Sequence, residues 1–259
     1  MGSIDFTTVT EITGYNVTSE QLHRMYTRYR FALDYCERME VLEVACGTGQ
    51  GLGFLAKKAK KVVGGDFDEN IVKLTRNYYK DRIEIKQIDA HSLPFDNKSF
   101  DVVLCYEAIY YLQQPERFIA EASRVLRDRG VLIICTANKD WPGFNPSPYS
   151  HKYYSSPELF LLLSEKGFDV KLFADCPAAG TGGIKDALKS YIKKVAVKLH
   201  LMPKTMKGKE KLKRLFLGKL KPLPPEITDE MSEYTPPVSI TADSPNLDYK
   251  VLFAVGRKI

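Results

Sequence analysis

Three glycines alternate through Cys46-Gly47-Thr48-Gly49-Gln50-Gly51, directly after the apolar run Val41-Leu42-Glu43-Val44-Ala45. Glycine permits positive φ and carries no Cβ, so these residues let the main chain approach a ligand closely where a helix is expected to begin. Nineteen residues beyond Gly47, a second apolar run, Val62-Val63-Gly64-Gly65, ends in Asp66. At that spacing a carboxylate can accept hydrogen bonds from both hydroxyls of a ribose. A nucleoside-type site is therefore expected. It differs from the G-x-G-x-x-G of dinucleotide folds, because Leu52 stands where the third glycine would admit a pyrophosphate.

A third apolar run, Ile83 to Ile88, delivers Asp89-Ala90-His91, and a fourth, Asp101 to Cys105, delivers Tyr106-Glu107-Ala108-Ile109-Tyr110-Tyr111. In this order the motifs resemble the class I S-adenosylmethionine-dependent methyltransferases of the small-molecule "type 11" kind, over about residues 40–175. The resemblance implies S-adenosyl-L-methionine as the cofactor. Asp66 would hold its ribose, Phe67 would cover the adenine, Asp89 would take the adenine amino group, and Ala90 would face the ring with His91 packed beside it. The glycine turn would make room for the methionine part, with Glu43, Ala45, Gly47, Gly49, Gln50 and Tyr106 completing the cofactor set. In related enzymes an N-terminal helix shields the cofactor, and Tyr26 and Arg30 are the candidates here to reach the methionine carboxylate.

Methyl transfer is an in-line displacement, so the protein mainly has to hold a nucleophile beside the methyl carbon. A hydroxyl acceptor also gains from a base. Tyr110 and Tyr111 stand where relatives often carry a His pair, which leaves Tyr110, Glu107 and His151 as the catalytic candidates. No carboxylate cluster follows the fourth or fifth strand, so no metal is expected and activity should survive EDTA. The loop after the fifth strand, Thr136 to Tyr154, is dense in aromatics and prolines and suits a substrate loop for a sugar, polyketide or lipid head group.

Strands near 41–45, 62–66, 83–88, 101–105 and 131–136 must alternate with helices near 51–60, 69–80 and 115–127 to place these residues. The fold class is α/β: a doubly wound, mostly parallel, Rossmann-like sheet. By family resemblance it has seven strands and an antiparallel last strand, Tyr249 to Val255. Residues 1–38 are expected to form a helical cap, with Leu22, Met25, Tyr26, Tyr29 and Leu33 on one face. Residues 39–176 form the cofactor-binding core, 177–245 a basic helical insert or lid, and 246–259 the final strand.

That insert holds the chain's charge asymmetry. Lys185 to Lys221 carries thirteen Lys or Arg against Asp186 and Glu210, a net of +11 in a chain whose total is +6. Its expected roles are a lid over the acceptor or an anionic membrane surface contact. Nucleic acid is disfavoured, since no aromatic stacking platform is interleaved with the charge. Cys36, Cys46, Cys105, Cys135 and Cys176 are spaced singly and read as reduced core residues. Met1 to Phe6 shows no signal-peptide pattern and Phe6 breaks a myristoylation motif, so the expected location is the cytoplasm, with peripheral membrane contact open. The expected activity is methyl transfer to oxygen, less readily nitrogen, of a small or lipid- or glycan-linked metabolite. Its alternatives are an RNA methyltransferase and a non-catalytic cofactor-binding protein.

Overall fold

The computed structural model describes residues 12–178 and 220–259. Its central sheet has eight strands in the order β4-β3-β2-β5-β6-β10-β7-β9. The first four built are β2 (Glu40–Val44), β3 (Lys61–Asp66), β4 (Glu84–Gln87) and β5 (Phe100–Tyr106), followed by β6 (Leu126–Ala137). These five run parallel, and β10 (Tyr249–Lys258) enters antiparallel between β6 and β7 (Phe168–Pro177). An eighth strand joins the expected seven: β9 (Val238–Ile240) pairs antiparallel along the edge of β7.

The chain leaves β2 toward β3 and β4, then returns to β2's other side as β5. That reversal opens a crevice at the carboxyl ends of β2 and β5, where ligands bind in doubly wound sheets. Helices close both faces. α1 (Ser19–Cys36), α2 (Leu52–Ala56) and part of α3 (Glu69–Tyr79) bury Leu22, Phe54 and Tyr79 on one side. α4 (Pro115–Val125) and α5 (Ser156–Ser164) bury Phe118, Ile119 and Leu159 on the other.

Local chemistry sets the helix ends. α1 begins on a capping box, in which Thr18 Oγ1 accepts from the Gln21 amide while the Gln21 side chain accepts from the Thr18 amide. α2 ends at Ala56, well before the expected residue 60. The turn after β2's preceding helix takes its next backbone groups, with Arg38 N donating to Lys58 O and Lys60 N to Met39 O, both at 2.9 Å. α4 likewise gives way to β6 at Leu126, five residues sooner than expected, where Leu126 pairs with Phe100 across a register irregularity.

Of the expected 177–245 insert, most of the basic stretch lies outside the described residues. Its far end packs on the core. β8 (Lys221–Pro222) pairs with β1 (Asn16–Val17), Leu223 and Ile227 are buried, and Ile227 N donates to Gln50 O at 2.8 Å. Among the described residues, no helix is long and apolar enough to cross a membrane.

Candidate functional site

A cavity of about 670 Å³ occupies the crevice above β2 and β5. Its floor is the glycine turn. Ala45 leaves β2 with φ 59° and Gly47 follows with φ 57°, so the backbone turns its polar groups toward the opening. A left-handed conformation at a non-glycine residue costs about 1–3 kcal/mol and marks a position held by its surroundings. Glu107, at the end of β5, is the matching case on the next strand with φ 51°.

Asp66 closes β3 at 8% exposure. The Gly47 amide donates to Oδ2 at 3.0 Å and the Asp68 amide to Oδ1 at 3.1 Å, which fixes the carboxylate while each oxygen keeps an acceptor position. Burial pushes this carboxyl above its ordinary range, and the two amides pull against that. Phe67 follows with its ring 60% exposed at the lip. Asp89 accepts from the His91 amide at 2.8 Å and contacts the His91 ring at 2.7 Å. Burial raises the Asp89 carboxyl, but the His91 contacts outweigh it and hold the group below its usual value.

Glu43 lies beneath, 1% exposed. Its Oε1 accepts from Tyr29 Oη at 2.5 Å, while Oε2 is buried with no hydrogen-bond partner. Burial lifts its pKa to about 7, with the Tyr29 hydrogen bond and the Arg28 charge acting in the opposite sense. The Tyr106 hydroxyl is likewise buried without a partner. Two unsatisfied polar atoms in the wall of one cavity fit a polar ligand that is itself part of the site, because leaving such groups unpaired costs about 1–3 kcal/mol each.

The other half of the cavity is aromatic. Tyr110 stacks on Tyr153 at 4.2 Å and meets Tyr111 edge-on at 4.6 Å, and Phe144 caps Tyr153 at 4.7 Å. The loop carrying Phe144 and Tyr153 is pinned by fully buried Asn138, whose amide donates to the carbonyls of Asn246 and Tyr249. Glu107 sits at the junction of the two halves. It accepts from Tyr110 Oη and from Arg24 Nη2, both at 3.1 Å.

The cavity gathers most of the expected cofactor residues: Glu43, Ala45, Gly47, Gln50, Asp66, Phe67, Asp89, Ala90, His91 and Tyr106. It also brings in Glu107, Tyr110 and His151. Three expected residues do not line it. Gly49, with φ 78°, packs under α3, where an added Cβ would meet Thr75 at 2.8 Å and Tyr79 at 2.9 Å. Tyr26 turns its ring onto Phe54, and Arg30 pairs with Asp34 at 3.0 Å and lies over Tyr234. The face of α1 that reaches the cavity is instead Gln21, Arg24, Met25, Arg28 and Tyr29. Those positions recur at the helical spacing of three and four, so a second stripe was present in the sequence beside the one predicted. Burial and the Glu107 charge push the Tyr110 phenol well above its ordinary value, and its hydroxyl donates to Glu107.

Residues 42–134 match the family model of the methyltransferase domain. A "Probable S-adenosylmethionine-dependent methyltransferase" of Mycobacterium tuberculosis is 35% identical over 137 residues, covering 51% of this chain and 50% of that protein. A demethylmenaquinone methyltransferase of Clavibacter sepedonicus is 34% identical over 122 residues, covering 46% and 49%. The chain spans about half the length of these curated relatives. Among solved structures, a possible histamine N-methyltransferase of Thermotoga maritima superposes with TM-score 0.57 at 18% identity, covering 92% of both chains. The [4+2]-cyclase SpnF superposes with TM-score 0.58 at 16% identity, covering 95% of this chain and 86% of that one. At such identities these two likenesses concern the fold alone.

Proposed function

We propose that this chain, whose residues 42–134 match the methyltransferase-domain family model, is a class I S-adenosylmethionine-dependent methyltransferase that transfers the sulfonium methyl group to an oxygen of a small or lipid-linked acceptor. One observation carries the proposal: a single cavity joins the Asp66 and Glu43 half, suited to a nucleoside and an ammonium group, to an aromatic half with a carboxylate at the junction. Asp66 holds the ribose hydroxyls, Phe67 and Ala90 flank the adenine, and Asp89 accepts from its amino group. Glu43 Oε2 and the backbone at Ala45 and Gly47 meet the methionine end. S-Adenosylmethionine, when bound, supplies a methyl group made electrophilic by its positive sulfur.

Glu107 is the group we assign to the acceptor. It is placed to take the hydroxyl proton of an acceptor whose oxygen would receive the methyl group that the bound cofactor supplies. Arg24 and Tyr110 hold the carboxylate in place. Tyr110, Tyr111 and Tyr153 supply flat walls that favour a ring or a lipid head group, and the named activities of the demethylmenaquinone relative and of a phthiotriol/phenolphthiotriol dimycocerosates methyltransferase, 38% identical over 94 residues, agree with an acceptor of that size.

Two substitutions separate the halves. Asp66→Ala should weaken cofactor binding by about 1.5–3 kcal/mol, since it removes charge-assisted hydrogen bonds. Glu107→Gln should leave that affinity within twofold and lower turnover roughly 10²–10⁴-fold, the range of a lost general base. Calorimetry with S-adenosylhomocysteine and a labelled-methyl assay on lipid and metabolite extracts read both. Unchanged affinity in folded Asp66→Ala would remove the cofactor placement. Tight cofactor binding with no labelled product on any extract would favour a different chemistry on this fold.

A further inference from the structure

Outside the cavity, three side chains of metal-ligating type meet beside the N-terminal part of α1. His23 projects from the helix, and Asp175 and Cys176 come from the end of β7. Their ligand atoms all lie within 4.8 Å of one another, and Cys176 Sγ is 3.4 Å from Asp175 Oδ2. Neighbours on a strand normally point to opposite faces. Here Cys176 adopts φ 57°, which breaks the alternation and brings both side chains to one side. Asp175 and Cys176 are buried, and Ser232 Oγ, 3.1 Å from His23 Nδ1, holds the imidazole.

We infer that His23, Asp175 and Cys176 bind one divalent transition-metal ion, with zinc the best match. An imidazole, a carboxylate and a thiolate are three of the ligand types zinc takes, and a fourth position is left to water. Magnesium and calcium want oxygen ligands throughout, so the thiolate selects against them. Coordination sends the thiol proton to solvent. None of the three residues lines the methyl-transfer cavity, so the ion stands apart from that chemistry. Its effect is mechanical: it ties α1 to β7 one residue away from Arg24, the partner of Glu107. The sequence alone gives no sign of this set, because His23 lies far from Asp175 and Cys176 along the chain and the three show no ligand spacing.

The test uses the full chain, stripped with chelator and titrated with Co²⁺ and then Zn²⁺. One equivalent of Co²⁺ should bind with the tetrahedral visible absorption and the near-ultraviolet band of a cobalt thiolate, and Zn²⁺ should displace it and raise the Tm. Cys176→Ser should lose the thiolate band. His23→Gln and Asp175→Asn should each weaken Zn²⁺ by more than the roughly 10–100-fold that losing an outer hydrogen-bond partner costs. Cys36→Ser, a distant buried thiol, should keep the band. Absence of saturable binding in the wild type, a band that survives Cys176→Ser, or native affinity in folded His23→Gln would each overturn the assignment. Circular dichroism on every variant, together with the two conservative substitutions, keeps a folding defect from imitating a lost ligand.

Discussion

Glu43 is a carboxyl whose charge depends on what sits above it. Burial raises its pKa from 4.5 to about 7, so between those values the folded protein holds a proton that the unfolded chain has released. Stability of the cofactor-free protein should therefore fall as pH rises through that window and level off above 7, by on the order of 3 kcal/mol in total. A cationic ammonium beside Oε2 favours the ionised form. Cofactor binding near pH 6 should then release a proton, giving an observed binding enthalpy that changes with the ionisation enthalpy of the buffer. Glu43→Gln should flatten the stability slope and abolish the buffer dependence; buffer-independent binding by the wild type would place the ammonium elsewhere. The sequence put Glu43 near the methionine end, but its protonation follows from its burial, opposed by a Tyr29 hydrogen bond, and no motif shows either.

At the scale of elements, the coupling between α1 and the glycine turn decides the site. The Tyr29 ring lies over Gly51, where an added Cβ would fall 2.0 Å from Cε1. Gly51 has φ −92°, an ordinary value, so space and not backbone freedom requires glycine there. Gly51→Ala should expel the ring, break the Tyr29–Glu43 hydrogen bond and destabilise by about 1–3 kcal/mol, with a matching loss of cofactor affinity. Gly53→Ala is the control. Its Cβ would meet only the end of the Glu226 side chain at 2.3 Å, so its cost, read by the same thermal denaturation, should stay below about 1 kcal/mol. Strands β2, β3 and β5 were legible because buried parallel strands are continuous apolar runs. The rotation of α1 was not, because Leu22, Met25, Tyr26 and Tyr29 define a broad buried arc, and only Phe54 and Glu43 decide which part of it faces the cavity. β9, three residues long, carries too little pattern to be read at all.

For the whole molecule, charge is the property the sequence displays most openly and the described structure uses least. The net of +11 between Lys185 and Lys221 contrasts with a negative remainder, and an anionic surface that engaged it would gain about 1 kcal/mol per Lys or Arg. If the acceptor is lipid-linked, the protein should co-sediment with anionic liposomes at low salt, detach steeply toward physiological salt, and fail to bind after charge reversal at Lys189, Lys193 and Lys194. Background sedimentation under all conditions would remove the membrane reading; if the segment is a lid, deletion of 185–221 should raise KM for the acceptor, and unaltered acceptor kinetics would defeat that reading too.

The place of β10 has a consequence for how the protein is made. It follows β6 and β7 in the chain and is synthesised after both, yet it sits inside the sheet between them, donating and accepting along each. Until Tyr249–Lys258 leaves the ribosome, those two strands present bare edges, and bare edges recruit other chains. A pause in translation between β7 and β10, or a stop codon before Tyr249, should therefore be felt first as aggregation and only second as lost activity.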